Sequence, residues 1–470
     1  MRRKLTNSLL TLLLLTLSVV TGYGADSTRV MTRNQLLSIV RNYHPVVKQA
    51  SIQVAKARAE VMRARGGFDP MLNAGLDRKT FNGKLYYSYF KPELNIPTWY
   101  GVELKAGYEE AIGDRLSSEA TNGVTSFVGV KIPVTSLLYD KRRAALQQAK
   151  LFTQLTTAEQ KLTINNLLYD ANAAYINWTK EYLVYKAVCS LAAGNEARMK
   201  FLRTEVELGS RPAIDTTEAQ AQYEVILQQQ YNSRVNYINA GLELSNYMWL
   251  ENNLPAQLDE SIVPDTAELD RQFNSQEVPT LAELLADASV HPKVQALTTK
   301  VDMLEIDRKL KAQYLLPKLS VNANLLSKGY GIKGDVNQTT VTDNNKLGLE
   351  FNMPIFLREA RGNLRAANLK ITETELEKDQ TTLTIDNKVK SYYNDFVSLQ
   401  QQTEAYTRAY NNYRSVFNGE TTRFNAGEST IFMVNTRELK LLETLQKLVD
   451  IKAKYRKAYA GMFYAAGTLQ

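Results

Sequence analysis

Two short stretches decide the reading, Tyr43-His44-Pro45-Val46-Val47 and Val290-His291-Pro292-Lys293-Val294. In each, a histidine precedes a proline able to open a helix, because the first helical position needs no N–H and suits the fixed φ of proline. A second pair of landmarks keeps the same spacing. Phe68-Asp69-Pro70 closes the helix after the first His-Pro and Leu315-Leu316-Pro317 closes the helix after the second, and Pro317 lies as far from Pro70 as His291 from His44. An offset shared by independent landmarks predicts two copies of one unit.

Working outward, each copy continues into a strand-like region closed by proline, at Gly129-Val130-Lys131-Ile132-Pro133 and at Gly348-Leu349-Glu350-Phe351-Asn352-Met353-Pro354. A basic helix start follows, Asp140-Lys141-Arg142-Arg143 in one copy and Arg358-Glu359-Ala360-Arg361 in the other, and each helix runs to a glycine turn, Gly209 or Gly427. A helix filling most of such a stretch, roughly 75 residues, is about 110 Å long. The returning helices are shorter, and the helices after each His-Pro, 45–66 and 292–314, supply roughly the missing 33 Å if stacked end to end with them. The predicted boundaries are a first repeat over 25–253 (strand region 69–134, long helix 138–207, return helix 212–253), a joining segment 254–280, and a second repeat over 281–470 (helix 292–314, strand region 317–354, long helix 358–425, return helix 430–466). Pro255, Pro264 and Pro279 break the helical pattern in the joining segment, which is expected to wrap the helices as an equatorial belt.

The helices read as coiled packing. Val47, Ala50, Val54, Ala57, Val61 and Ala64 alternate three- and four-residue steps, the heptad seam, and Leu441, Leu445, Leu448, Tyr455, Tyr459 and Met462 form one apolar stripe. The strand regions show the other period. Leu319, Val321, Ala323 and Leu325 alternate with Ser320, Asn322 and Asn324, and Val102, Leu104, Ala106 and Tyr108 alternate with Glu103, Lys105 and Gly107. One face suits lipid and the other water. Tyr86, Tyr87, Tyr89, Trp99 and Tyr100 would serve as an interfacial girdle.

Compartment follows from the N-terminus. Arg2, Arg3 and Lys4, an apolar run from Leu9 to Val20 and small residues at Gly22, Gly24 and Ala25 predict a secretory signal peptide over 1–24. Its removal lowers the formal charge of +8 to about +5, with basic residues too dispersed to build a nucleic-acid groove. Mean hydropathy is −0.32, and past the signal no run of eighteen apolar residues occurs, so a helical span is excluded and a closed β-barrel is the remaining way into a membrane. The single cysteine, Cys189, sits in a helical pattern and supports neither a disulfide framework nor a cysteine-rich metal site. No catalytic constellation, phosphate loop or metal-ligand spacing is present, so neither an enzyme nor a cofactor is expected. Glu109-Glu110 are neighbours on a strand, hence on opposite faces, and read as a solvated rim.

Strand count then constrains assembly. The first strand region is the longer by about 26 residues, including the hairpin signal Asn82-Gly83, expected as an extracellular loop or an added hairpin. Four spanning strands per chain cannot close a barrel, for which about eight is the practical minimum, so several chains must share one.

With these features together, the chain resembles the TolC-like outer-membrane efflux family across both halves. The resemblance rests on the paired His-Pro starts, the Pro70 and Pro317 junctions, Ile132-Pro133 and Met353-Pro354 before long helices, and two turns, Glu207-Leu208-Gly209-Ser210-Arg211-Pro212 and Arg423-Phe424-Asn425-Ala426-Gly427-Glu428-Ser429. It implies a mainly α fold with a membrane β-barrel portion, a homotrimer sharing a twelve-stranded barrel, and a helical periplasmic duct gated at its lower end. It also implies an exit-duct role in a tripartite efflux pump or type I secretion system. The implied partners are a periplasmic adaptor protein, a proton-driven or ABC-type inner-membrane pump and outer-membrane lipid. Docking of the adaptor is expected at the hairpin tips, here Gly209, Ser210 and Arg211 and Gly427, Glu428 and Ser429. Family members carry acidic gate residues six and nine positions beyond the second tip glycine, where this chain has Met433 and Thr436, so that ring does not transfer. Asp215 and Glu218 hold those offsets in the first hairpin, and with Asn435, Arg437 and Glu438 they are the candidate gate residues. Two other readings stay open, a stand-alone passive porin and a soluble periplasmic coiled-coil scaffold.

Overall fold

A computed structural model describes residues 29–469 apart from 260, 272, 274–276 and 331–341. The signal segment expected at 1–24 lies outside the described residues. The elements in chain order are β1 (Arg29–Met31), α1 (Arg33–Tyr43), α2 (Pro45–Arg65), β2 (Met71–Phe81), β3 (Lys84–Pro97), β4 (Glu103–Ile112), β5 (Gly123–Pro133), α3 (Val134–Leu138), α4 (Lys141–Glu207), α5 (Ala213–Ser245), β6 (Ile262–Pro264), α6 (Ala267–Asp270), α7 (Leu281–Ser289), α8 (Pro292–Gln313), β7 (Lys318–Lys328), β8 (Asn345–Asn352), α9 (Arg358–Asn425) and α10 (Ile431–Ala466). Two compact units divide them: the N-terminal stretch to His44 with Asp170–Asn274 and Phe396–Lys457, and Pro45–Tyr169 with Ser275–Asp395 and the stretch from Ala458 onward.

The second of these units holds a six-stranded antiparallel sheet in the order β2-β3-β4-β5-β7-β8. This corrects the expectation of four strands. The residues in excess in the first strand region are a full pair of added strands, so that region contributes β2 to β5 while 317–354 contributes β7 and β8. Asn82 and Gly83 take φ of 50° and 70°, the left-handed pair that a two-residue hairpin turn requires, and they join β2 to β3. Helix α8 starts on His291, whose Nδ1 accepts the Lys293 N–H at 3.1 Å, so the histidine before the proline is itself a cap. Packing follows the heptad seam of α2, where Ala50, Val54 and Ala57 are buried. Tyr169 stacks on Tyr464 with ring centroids 4.2 Å apart, and its hydroxyl meets that of Tyr392 at 3.1 Å.

In the first unit, β1 pairs in parallel with β6, fastening the start of the chain to the joining segment. Tyr175, fully buried on α4, locks that pair: its hydroxyl donates to the Met31 carbonyl at 2.8 Å and accepts the Asp265 N–H at 3.2 Å. Burial pushes its pKa up to about 12, so it stays a neutral donor. Glu268 on α6 takes Arg456 of α10 and, at 3.7 Å, Arg33 of α1. Asp265 and Glu268 of the joining segment are thus held by one tyrosine and two ion pairs. His44, the counterpart of His291, stacks on Tyr247 and meets Trp249 edge-on, and burial lowers its pKa. Heptad-spaced Leu441, Leu448, Tyr455 and Met462 are all buried, as the stripe on α10 predicts. Short helices α1 and α7 each begin with a capping box, Thr32 with Gln35 and Thr280 with Glu283.

Helices α4 and α9 end at Glu207 and Asn425, and α5 stops at Ser245, beyond which Tyr247–Trp249 leave the helical path. Among the described residues no helix is long and apolar enough to cross a membrane.

Candidate functional site

Register separates the sheet into two chemically opposed faces. Leu72 pairs with Leu94, Leu94 with Ala106, Ala106 with Val128 and Val128 with Leu325, and in parallel rows Leu104, Val130, Ala323 and Leu347 or Ile132, Val321 and Leu349 line up. The opposite face carries Glu93, Lys105, Lys131, Asn322, Asn324, Lys346 and Glu350, with Lys105 and Glu93 in contact at 3.2 Å. On the central strands the charged pair is the better covered, and on the edge strand β8 both faces are exposed. Side chains of Lys105 and Glu93 are only 22% and 18% exposed, whereas Leu104, Leu347 and Leu349 are 43%, 73% and 72% exposed. Over the small residues Ala106 and Ala323 the apolar face dips into a depression of about 730 Å³ bordered by Ile96, Leu104, Leu325 and Leu347.

Aromatic side chains collect at both ends of the strands. Phe68 and Trp99 pack 5.3 Å apart where a helix enters the sheet, with Tyr100 exposed beside them, and Phe81, Tyr86, Tyr87 and Tyr89 cluster at the Asn82-Gly83 end. Glu109 reaches Lys91 at 3.9 Å on the polar face while Glu110 lies on the other, so the adjacent carboxylates are separated as expected.

The other candidate sites lie in the first unit. Both helix reversals use the same geometry. Gly209 has φ +73°, its N–H donates to Val206 and the Ser210 N–H to Glu205; Gly427 has φ +78°, its N–H donates to Phe424 and the Glu428 N–H to Arg423. Each is a Schellman ending, which needs a left-handed residue and so favours glycine. Arg211 ties the two turns together: its guanidinium lies 4.1 Å over the Phe424 ring, donates to the Phe424 carbonyl at 2.9 Å and comes within 3.8 Å of Asp215. Ser429 donates to Glu420, and Arg423 approaches the same carboxylate at 3.9 Å. Beneath the turns Leu202, Ala219, Phe424, Ile431 and Val434 form a core, while Leu208, Ile214 and Phe432 stay exposed.

Two of the five candidate gate residues come together. The Glu438 carboxylate, 2% exposed, accepts from Arg198 at 2.9 and 3.3 Å and from Asn195 at 2.8 Å, and Asn435 Oδ1 accepts from Arg198 at 3.3 Å. Asp215 goes instead to Arg211 at the tip, and Glu218 and Arg437 do not join the cluster. Arg198 and Asn195 are absent from the sequence-based set. Their signal is a matched spacing: Asn195 and Arg198 on α4, like Asn435 and Glu438 on α10, stand three residues apart, on one helix face.

Comparison with known proteins agrees with this class of molecule. Residues 288–468 match the family model described as outer membrane efflux protein. Among solved structures, the chain is similar to the Campylobacter jejuni CmeC outer membrane channel, with TM-score 0.68 and 15% identity over 93% of this chain and 86% of that one. It is similar too to the open state of the Neisseria gonorrhoeae MtrE outer membrane channel, with TM-score 0.67 and 15% identity over 93% and 89%. The Vibrio cholerae outer membrane protein VceC gives TM-score 0.65 and 13% identity over 93% and 96%. The search of curated protein sequences found no match. The resemblance read from the paired motifs is borne out: over nearly its whole length the chain has the fold of outer-membrane efflux channels.

Proposed function

We propose that this chain is the outer-membrane exit duct of a tripartite efflux pump or type I secretion system, a homotrimer whose sheets join into one barrel above a periplasmic helical tunnel. The observation that carries the reading is the two-faced sheet, in which a leucine-rich face stands exposed, with Leu104, Leu347 and Leu349 at 43%, 73% and 72%, while Lys105 and Glu93 pair on the other face at 22% and 18%. In water that arrangement is unfavourable, since apolar area costs about 25 cal/mol per Å² exposed. In a bilayer the apolar face meets lipid, its depression seats acyl chains, and the charged face lines the channel. Phe68, Trp99 and Tyr100 at one strand end and Phe81 and Tyr86 at the other supply the interfacial aromatics, while Tyr87 and Tyr89 alternate onto the polar face.

The hairpin ends supply the periplasmic chemistry. Leu208, Ile214 and Phe432 beside the Gly209 and Gly427 reversals offer an adaptor protein exposed apolar contacts on a rigid turn. The cluster of Arg198, Asn195, Asn435 and Glu438 holds the helices behind the tips and restrains the gate. Duplication of one helix–strand–helix unit accounts for the recurrence of the His-Pro and glycine landmarks.

Membrane fractionation tests the reading. The mature chain should be recovered with the outer membrane as a heat-modifiable trimer, and a freely soluble monomer would overturn the proposal in favour of a scaffold. Planar bilayers separate a gated duct from a passive porin, since the duct conducts weakly without its partners while high resting conductance would favour the porin.

A further inference from the structure

Among the described residues the large sheet has six strands, four of them from the first strand region, which leaves β2 and β8 as its two outer edges. Charges at Asp77, Arg78 and Lys79, with a bulge after Lys79, mark one end of β2, and Lys346 and Glu350 lie on β8, yet the rest of both edges is open to pairing. Both lack proline, and their outward residues Leu72, Leu76, Leu347, Leu349 and Phe351 are 65–76% exposed, as in Leu72 76% and Phe351 65%. A bilayer cannot satisfy the free backbone groups of such edges, so another strand must.

We infer that β8 of one copy pairs antiparallel with β2 of the next, with Lys346 opposite Asp77, and that three copies close an eighteen-stranded barrel rather than a twelve-stranded one. The trimer rests on the function proposed above; the pairing rests on the sheet. Because six is even, β2 and β8 run in opposite directions, and a head-to-tail ring joins them in the same antiparallel sense as every internal pair.

Register follows from the stagger within the sheet. Met71 faces Asn95, and the row continues through Lys105, Gly129 and Asn324 to Lys346. The row therefore starts on the first residue of β2 but ends short of Asn352, the last residue of β8. Met71 and Asn352 both lie at the side where helices join the sheet. A bilayer of uniform thickness requires that rim to be level, which sets Asn352 beside Met71 of the next copy and Lys346 beside its Asp77. The row then climbs about six residues per six strands, and with roughly 3.3 Å per residue and 4.8 Å between strands the tilt is about 35°, at the lower bound for barrels.

Chemistry selects the same register. On the apolar face it sets Leu72, Ala74 and Leu76 opposite Phe351, Leu349 and Leu347. A slip of one residue would turn one strand's leucines to the water side. A slip of two in one direction sets Lys79 opposite Lys346, and in the other it lowers the tilt to about 25°. Among the described residues Lys346 pairs with Glu119 at 3.5 Å, in a pair that is 64% and 81% exposed and easily exchanged. Eighteen strands give a backbone radius of roughly 17 Å, against about 11 Å for twelve at the same tilt.

Cysteine pairing in the intact membrane-embedded protein tests this. In a Cys189→Ser background, Asp77→Cys with Lys346→Cys should oxidise between copies and give a covalent ladder ending at three chains. Asp77→Cys with Gly348→Cys should cross-link about ten-fold more slowly. Asp77→Lys should lower the yield of detergent-resistant trimer, and adding Lys346→Asp should restore it. Direct imaging should count eighteen strands. A trimer recovered from the outer membrane without the 77–346 cross-link, or with a ladder ending at two, overturns the pairing while leaving the duct intact. Failure of the unmodified chain to reach the outer membrane would overturn both.

Discussion

Replacing Glu438 by glutamine removes one charge from a site closed to water and changes almost nothing in shape. The carboxylate now accepts three hydrogen bonds, two from Arg198 and one from Asn195, and is 2% exposed. A glutamine amide can accept at one end only, so one donor must face another, and the Arg198 guanidinium, itself 13% exposed, loses its counter-ion. Breaking a buried pair from one side costs about 3–5 kcal/mol, and the neighbouring Asn435 oxygen, 3.3 Å from Arg198, places the loss near 3 kcal/mol by retaining one acceptor. Arg198→Met should cost a similar amount by stranding the carboxylate. The double variant should lose less than the sum, with a coupling of about 2 kcal/mol. Denaturant unfolding in detergent, followed by circular dichroism, measures all four corners of the cycle, and the same proteins in planar bilayers report the gate. A coupling under about 0.5 kcal/mol would refute the energetic argument. Lost stability with unchanged conductance would leave the cluster a strut and reject it as a gate.

Other perturbations reach different parts of the chain. His291 is driven down to a pKa of about 4 by burial first and then by Lys388 and Lys293. A folded pKa below the unfolded one gives stability that is complete above about pH 6.5 and lost as pH falls toward 4, about 2 kcal/mol after allowance for partial solvent screening. His291→Asn retains a capping acceptor for the Lys293 N–H and should flatten that acid limb in melts between pH 7.5 and 4.5. Tyr175→Phe strips the Met31 carbonyl and the Asp265 N–H of their shared partner, costing about 1–3 kcal/mol, and should speed amide exchange in β1 and β6. Arg211→Ala removes the ring stack and the bond to the Phe424 carbonyl; exchange should rise about ten-fold at Asn425–Ser429, and unchanged protection would show that the turns hold independently.

Much of the fold is written in local signals. Proline at 45 and 292 opens helices, glycine at 209 and 427 reverses them, and the heptad seam of α2 and the stripe of α10 name residues that are buried. Asn82-Gly83 reads as a hairpin because few other pairs accept two left-handed residues in succession. The sequence was less informative about what lay on either side of that turn. Residues 84–112 hold Lys91, Pro92, Glu93 and Glu109-Glu110, a density of charge and proline that weakens strand alternation, and only pairing with β2 and β5 organises them. Strand number is a tertiary property here. The buried cluster is harder still, because Arg198 and Glu438 meet across a long interval of chain and neither has a distinctive local motif.

The site residues divide by the same logic. Gly209 and Gly427 are legible because backbone reversal demands a residue type at a position. Asp215 was singled out by its offset from a glycine, yet a one-turn neighbour, Arg211, claims it. Offsets transfer a position on a helix without transferring the partner, and for an acidic residue the partner decides the role. Glu438, one residue beyond Arg437 and three beyond Asn435, turns inward on the buried face of α10, where an unpaired carboxylate would be intolerable and Arg198 is therefore required. The rule that follows is chemical: a buried acid between apolar neighbours on a long helix predicts a basic residue at the matching level of the helix beside it, even where no motif names which one.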